Sequence, residues 1–287
     1  MDMKVRILNR LVVFTDLDGT LLDHDDYSFE AARPALAQLE ARNIPVILTT
    51  SKTATEVLSL RREVDNHHPF IVENGGTIVI PKGYFQQATL PHAANEDAEF
   101  IYYQLVTSYR EIIRLLHSLR DEYGFKFTGF ADMRPTELAQ ETGLSLDYAI
   151  LAKRRDSTEP IKWQGDDASL QLLKEKLAEH NLNIVQGGRF MHVRANVDKA
   201  DGVEILLDAF RQEYPNIDWI SIGLGDGGND VGMLNLVDQA VVVRAKHGRP
   251  LPVVDNPNCL ITEAPGPEGW NTAMLTLLKE YEPENVL

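Results

Sequence analysis

Apolar residues fall into short runs separated by stretches of helical spacing. Leu11 to Thr15 is a β-branched and aromatic run too brief for a helix, stopped by Asp16-Leu17-Asp18-Gly19, which predicts a buried strand passing into a loop. Ser28 can cap a helix whose apolar positions Ala32, Ala35, Leu36 and Leu39 recur at three and four, with Asn43 ending it before Pro45. Val46 to Thr49 predicts the next strand. Thr53 precedes a second helical pattern through Val57, Leu58 and Leu60, and Phe70 to Val72 predicts a third strand closed by Glu73-Asn74-Gly75-Gly76. This β-α-β-α-β order favours a parallel sheet covered by helices on both faces, with ligands bound outside the carboxyl ends of the strands.

The texture changes from about Gly83. Polar Gln86 to Asp97 is followed by a helical pattern around Tyr109 to Arg120 and a strand candidate at Phe125 to Phe130. Asp167 to His180 again has helical spacing, and Ile184 to Gln186, Gly187-Gly188 and Arg189 to Val193 predict a β-hairpin. After Lys199 the alternation returns: a helix through Val203, Leu206, Leu207 and Phe210, a strand at Trp219 to Ile222, a Gly-rich turn, another helix, and a strand at Ala240 to Val243. An α/β core at 1–82 and 194–287 interrupted by an α+β insert at 83–193 is therefore expected. Residues 251–269, with four prolines and three acids, are expected to be an irregular loop, and Trp270 to Tyr281 a final helix.

At 287 residues, 44% hydrophobic and 25% charged, the chain can bury a core without disulfide or metal staples. Its 28 basic and 43 acidic residues give a net charge of −15, which repels a phosphate backbone or an anionic membrane and makes nucleic acid an unexpected partner. The single cysteine, Cys259, permits no internal disulfide, in keeping with a reducing cytoplasm. Charged residues across Met1 to Arg10 predict no signal peptide, and no apolar run approaches the ~18 residues of a membrane span. The pattern carries no signal of an oligomeric state.

Asp16 and Asp18 emerge where an α/β sheet presents its ligands, and Gly225-Asp226-Gly227-Gly228-Asn229-Asp230 follows a later strand in the same way. A calcium loop would need a glutamate where Tyr27 stands, so a solvated acidic turn is the plainer alternative. Like carboxylates brought together repel by roughly 1–4 kcal/mol per pair at 4 Å, and a divalent cation is the natural compensation. An all-oxygen site with neither His nor Cys suits Mg²⁺ and, with it, phosphoryl chemistry. Gly223-x-Gly225-x-x-Gly228 also matches a dinucleotide fingerprint. Asp226 and Asp230 would repel an unmetallated pyrophosphate there, and no acid ends the next strand to hold a ribose.

Asp16-Leu17-Asp18-Gly19-Thr20, Thr50 at a strand end, Lys199 before a helix and Gly225-Asp226-x-x-Asn229-Asp230 together resemble, in order and spacing, the four motifs of the haloacid dehalogenase superfamily of phosphatases. The large insert is similar to that of its Cof-type branch, in which a C2B-type α/β cap closes over small phosphorylated substrates. Ser51-Lys52-Thr53, Glu73-Asn74-Gly75-Gly76, Gln186-Gly187-Gly188-Arg189-Phe190-x-His192 and Gly266-Pro267-Glu268-Gly269-Trp270 narrow the resemblance to the mannosyl-3-phosphoglycerate phosphatase family. Gly228 stands where such enzymes often have Pro, and Thr50 where some carry Ser. The resemblance implies a Rossmann-like core with a parallel sheet, and hydrolysis of a phosphorylated glycoside to mannosylglycerate, a compatible solute.

In that reading Asp16 is the nucleophile that becomes an aspartyl-phosphate, and Asp18 is acid and then base. Thr50 and Lys199 hold the transferring phosphoryl group. The resemblance implies Mg²⁺ on the Asp16 carboxylate, the Asp18 backbone carbonyl and Asp226. Asn229 and Asp230 would orient waters or Lys199, and Thr20 would fix Asp18. Two glycines would let Gln186, Gly187, Gly188 and Arg189 approach an anion, with Arg189 pairing a carboxylate. Ser51, Lys52, Arg155 and Glu159 are further expected substrate contacts, and His192 is equally readable as a core histidine or a ligand contact. A broader sugar-phosphate phosphatase, a phosphomannomutase-like transferase and a non-catalytic sugar-phosphate sensor are the alternatives.

Overall fold

The structure, a computed structural model, describes residues 8–90, 93, 95–105, 109–155, 157–187, 189–248 and 250–281. Its first part follows the expected alternation: β1 (Leu8–Thr15), α1 (Arg33–Ala41), β2 (Val46–Thr49), α2 (Ala54–Glu63) and β3 (Phe70–Val72). Thr53 and Glu56 form a capping box at the start of α2, the Glu56 carboxylate accepting from the Thr53 amide at 2.8 Å, which satisfies donors that a helix start otherwise leaves open. The antiparallel strands β4 (Thr77–Pro81), β5 (Asn95–Glu96) and β6 (Phe100–Gln104) come next.

Beyond them lie α3 (Tyr109–Tyr123), β7 (Phe127–Gly129), α4 (Pro135–Thr142), α5 (Leu146–Ala152), β8 (Thr158–Trp163), α6 (Asp167–Ala178), β9 (Leu182–Gln186) and β10 (Met191–Ala195). The chain returns through α7 (Lys199–Glu213), β11 (Ile217–Gly225), α8 (Val231–Leu236), β12 (Gln239–Arg244), β13 (Cys259–Pro265) and α9 (Gly266–Glu280). Among the described residues these strands make a nine-stranded sheet, ordered β13-β12-β11-β1-β2-β3-β4-β6-β5, and a separate four-stranded antiparallel sheet, β7-β8-β10-β9. The large sheet is parallel from β13 to β3 and antiparallel beyond. The protein is an α/β fold with a mostly parallel central sheet and a distinct antiparallel module.

From Leu11 to Phe14 strand β1 is an unbroken apolar run because both its faces are covered there. Leu11 and Val13 join Leu39 and Trp270 in one core, while Val12 and Phe14 join Leu206 and Phe210 in the other. In the small sheet, Ile161 and Val193 pack against Ile112, Leu116 and Leu119 of α3 and against Leu173 and Leu177 of α6. The opposite face of β10 carries His192 and Arg194, by the two-residue alternation of a strand.

Two expectations need amending. The stretch 251–269 is not all loop: Cys259–Pro265 adds a parallel edge strand beside β12, and Gly266 opens α9. Pro265 and Pro267 sit at the strand end and in the first helical turn, where a missing N–H leaves no hydrogen bond unmade, so these prolines mark boundaries. Within 83–193, read above as the insert, β5 and β6 pair with the large sheet, where Phe100 and Tyr103 are buried. We therefore propose 109–195 as the cap unit. No helix among the described residues is long and apolar enough to cross a membrane.

Candidate active site

The carboxyl ends of β1 and β11 lie side by side, with Thr15 in register with Leu224, so that the loops after them meet. Asp16 is anchored through its backbone, its amide donating to the Leu224 carbonyl at 2.9 Å. The indole of Trp270 donates to the Thr15 hydroxyl at 2.9 Å, and that hydroxyl donates to the Asp16 carbonyl at 2.8 Å. The motif at 266–270 thus buttresses the strand end that carries Asp16.

Lys199, the first residue of α7, is fully buried and donates at 2.6 Å to both Asp16 Oδ1 and Asp230 Oδ1. The other oxygen of Asp230 accepts from the amides of Asp226 and Gly227 at 3.1 and 2.9 Å, so Asp230 holds the loop and the ammonium together. Burial pushes the Asp16 carboxyl up to about 8; Lys199 pulls it down, while Asp230 and Asp226 push it up again. Burial opposes the Lys199 charge, but the two carboxylates outweigh it and hold the ammonium protonated.

Carboxylate oxygens of Asp16, Asp226 and Asp230 lie within 4.8 Å of one another. Asp16, Asp226 and Asp230 could together hold a cation, with Asp230 also engaged by Lys199 and the loop amides. An all-oxygen donor set suits a hard divalent ion. Gly19, at φ +81°, closes this cradle: a Cβ there would lie 2.8 Å from Asp226 Oδ2, so only glycine supplies both the left-handed turn and the room.

Asp18 stands apart from the cluster. Its Oδ2 pairs with Lys52 Nζ at 2.7 Å, and its Oδ1 is buried with no hydrogen-bond partner. Thr20 does not fix Asp18 as expected; the turn at Gly19 sends its buried hydroxyl across to Asp226 Oδ1 at 3.2 Å. Nor does Asn229 reach Lys199, since its amide donates to Asn74 Oδ1 at 3.0 Å. Thr50 is fully buried beside them, its hydroxyl accepting from the Lys52 amide at 3.2 Å and its amide donating to the Ile71 carbonyl.

The expected cap contacts are less directly placed. Glu159 alternates onto the face of β8 that α3 covers, where its carboxylate accepts from Tyr109 Oη and from the Ala131 amide, both at 2.8 Å. The structure does not bring it to the acidic cluster. Arg155 is buried, and its guanidinium donates to Thr158, Ala152 and the Ser51 carbonyl. Arg189 donates to the Glu141 and Thr142 carbonyls and so caps the end of α4. Gln186 is exposed and donates to the Gly187 carbonyl, and Gly188 lies outside the described residues. His192 is neutral, its imidazole pushed down to about 3 by burial and by Arg155 and Arg194.

The loop Glu73–Gly76 carries more of the site than the sequence suggests. Asn74 also accepts from Arg194 through its carbonyl at 3.1 Å, and its amide donates to Thr50 at 2.9 Å. In the sequence Glu73-Asn74-Gly75-Gly76 reads as a strand-closing turn and as part of the family resemblance, with no role given to its side chains; Arg194, a lone charge between Val193 and Ala195, is the signal that could have pointed to it.

Glu159 yields a pH prediction. Burial raises its carboxyl to about 7 against hydrogen bonds from Ala131 and Tyr109 that lower it. In the unfolded chain it ionises near 4.5. The folded protein therefore binds this proton more tightly, and stability falls as pH rises from about 4.5 to about 7, by roughly 3 kcal/mol in all. Glu159→Gln should flatten that fall in urea melts between pH 5 and 8. Parallel slopes for variant and wild type would refute it.

Comparison with known proteins agrees with this geometry. A model of haloacid dehalogenase-like hydrolases matches residues 13–250. A glucosyl-3-phosphoglycerate/mannosyl-3-phosphoglycerate phosphatase of Methanococcoides burtonii is 38% identical over 93% of this chain and 97% of its own. One of the same name from Persephonella marina is 36% identical over 95% and 98%. A haloalkanoate-superfamily phosphatase structure from Bacteroides thetaiotaomicron, 17% identical, shares the fold over 98% of this chain and 97% of that one, with a TM-score of 0.62. With the motif aspartates and Lys199 gathered at adjacent strand ends and the family match spanning most of its length, the chain belongs to the haloacid dehalogenase-like hydrolases.

Proposed function

We propose that this chain is a Mg²⁺-dependent phosphatase that hydrolyses mannosyl-3-phosphoglycerate, or its glucosyl analogue, to the glycosylglycerate and phosphate. The observation that carries the reading is the buried Asp16–Lys199–Asp230 cluster, with Asp226 within reach and Asp18 two residues from Asp16. The names of the two curated relatives supply the substrate class.

Asp16 attacks phosphorus, and the bond to the glycerate oxygen breaks as Asp18 protonates that oxygen. The partnerless Asp18 Oδ1 is the atom we assign to this proton. Asp18 then takes a proton from water as the water attacks the aspartyl-phosphate, which frees Asp16 and releases phosphate. Lys199 holds Asp16 in line and offsets phosphoryl charge, and Thr50 with the backbone beside it receives phosphate oxygens. Mg²⁺ held by Asp16, Asp226 and the Asp18 carbonyl would supply further neutralisation of that charge. In this reading the enzyme works in the cytoplasm on a small-molecule substrate.

A phosphate-release screen across glycosyl-3-phosphoglycerates and hexose phosphates tests it. The glycosyl phosphoglycerates should lead in kcat/KM by about 10²-fold, the value of one or two specific polar contacts. Equal rates would favour a broader sugar-phosphate phosphatase, and no release in the presence of Mg²⁺ would sink the reading.

A further inference from the structure

Glu73 is fully buried, yet it lies in the loop after β3 at φ 52°, followed by Asn74 at φ 55°, a left-handed pair that bulky residues rarely adopt. Something must hold it there. Its Oε2 accepts from the Ser157 amide at 3.0 Å and from the Thr158 amide and hydroxyl at 2.7 Å each. Arg155 Nε stands 3.8 Å from the same oxygen. Thr158 opens β8 and Ser157 directly precedes it, so all these partners belong to the cap.

The same loop is tied to the phosphoryl site. The Glu73 amide donates to the Lys52 carbonyl at 3.0 Å, the Asn74 amide to the Thr50 carbonyl at 2.9 Å, and Asn74 Oδ1 holds Asn229 at 3.0 Å. A Cβ on Gly75 would lie 1.9 Å from the Asp198 carbonyl, next to Lys199, and one on Gly76 would lie 2.0 Å from Ser157 Oγ. The loop is thus wedged between the cap and the elements that carry Thr50, Lys52, Lys199 and Asn229.

We propose that Glu73 is a positioning residue that latches the cap: its carboxylate seats Arg155, Ser157 and Thr158 and, through Asn74, couples that seating to the shape of the phosphoryl site. A buried carboxylate is tolerable only when its hydrogen bonds are made, so the seated cap is a discrete state. The latch acts on substrates that need the cap. This rests on the proposed phosphatase reading.

Two variants test it, Glu73→Gln, which keeps an acceptor but loses the charge, and the milder Thr158→Val on the cap side. Each should lower the ratio of kcat/KM for mannosyl-3-phosphoglycerate over that for p-nitrophenyl phosphate by about tenfold, and the double variant should go little further. Equal losses on both substrates, or fully additive losses, would overturn the latch. Hydrogen exchange supplies a readout that does not depend on turnover, because α5 meets α2, where Thr53 Oγ1 lies 3.5 Å from the Leu151 carbonyl. Glu73→Gln should speed exchange at 50–56 and 146–152 as well as at 157–158, and acceleration confined to 157–158 overturns the proposal. Wild-type enzyme that releases no phosphate from the glycosyl phosphoglycerates would end the substrate reading, while the exchange result would still decide the latch.

Discussion

Asp16→Asn is expected to lower turnover by about 10⁴-fold or more while the protein stays folded. The amide oxygen can still accept from Lys199, which now touches Asp16 Oδ1 at 2.6 Å, so the local hydrogen bonding survives. What is lost, in the proposed reaction, is the anion that attacks phosphorus. Stability should move the other way. Burial and the neighbouring Asp230 and Asp226 already push the Asp16 carboxyl up, so a neutral side chain removes a charge that the fold disfavours. Thermal melting should therefore be unchanged or raised, alongside almost complete loss of phosphate release. Activity within tenfold of wild type would remove Asp16 as nucleophile, and a collapsed melting transition would make its role structural.

That separation is possible because the core was legible in the sequence. Leu11 to Thr15, Val46 to Thr49 and Phe70 to Val72 are short apolar runs buried on both faces; the last two are strands β2 and β3 to the residue, and the first is the buried end of β1, which starts three residues earlier at Leu8. Motif residues at the ends of such strands have little choice of position: Asp16, Lys199 and Asp230 meet because β1 and β11 pair in parallel and α7 begins beside them. The gathering of the acidic cluster is accordingly visible before the fold.

The cap was less legible, for a physical reason. The direction of a side chain on a half-buried strand depends on register, and register is set by contacts distant in sequence. Glu159 lies opposite Val193 in the pairing of β8 with β10, on the face that the helices cover, while Thr158 faces the core loop instead. One residue of shift would exchange their roles. Arg155 and Arg189 read as anion binders by type, yet each is drawn to carbonyls that only the folded chain brings near. Thr20 illustrates the same limit within a motif, because its partner Asp226 becomes its neighbour only through strand pairing.

Exhaustive chelation should abolish phosphate release, and Mg²⁺ should restore it. Asp16, Asp226 and Asp230 place carboxylate oxygens within 4.8 Å of one another beside the Lys199 ammonium, and burial together with the neighbouring Asp230 and Asp226 raises the Asp16 carboxyl, so its ionised form is disfavoured without a further cation. At about 4 Å each repulsion between ionised carboxylates is worth roughly 1–4 kcal/mol, and a divalent ion offsets it. Asp226→Asn should raise the Mg²⁺ concentration needed for half-maximal rate by about 10²-fold, because one charged ligand is lost. Asp230→Asn should act through Lys199 and the loop amides instead, slowing turnover with a smaller change in Mg²⁺ requirement. Thermal melting gives an independent measure: an ion that binds only the folded state adds about 2.7 kcal/mol at a hundred times its Kd. Wild-type protein should therefore gain stability with added Mg²⁺ until the site saturates, and Asp226→Asn should gain little over the same range. Full activity after chelation, or equal Mg²⁺ stabilisation of the two proteins, would show that Asp226 holds no metal.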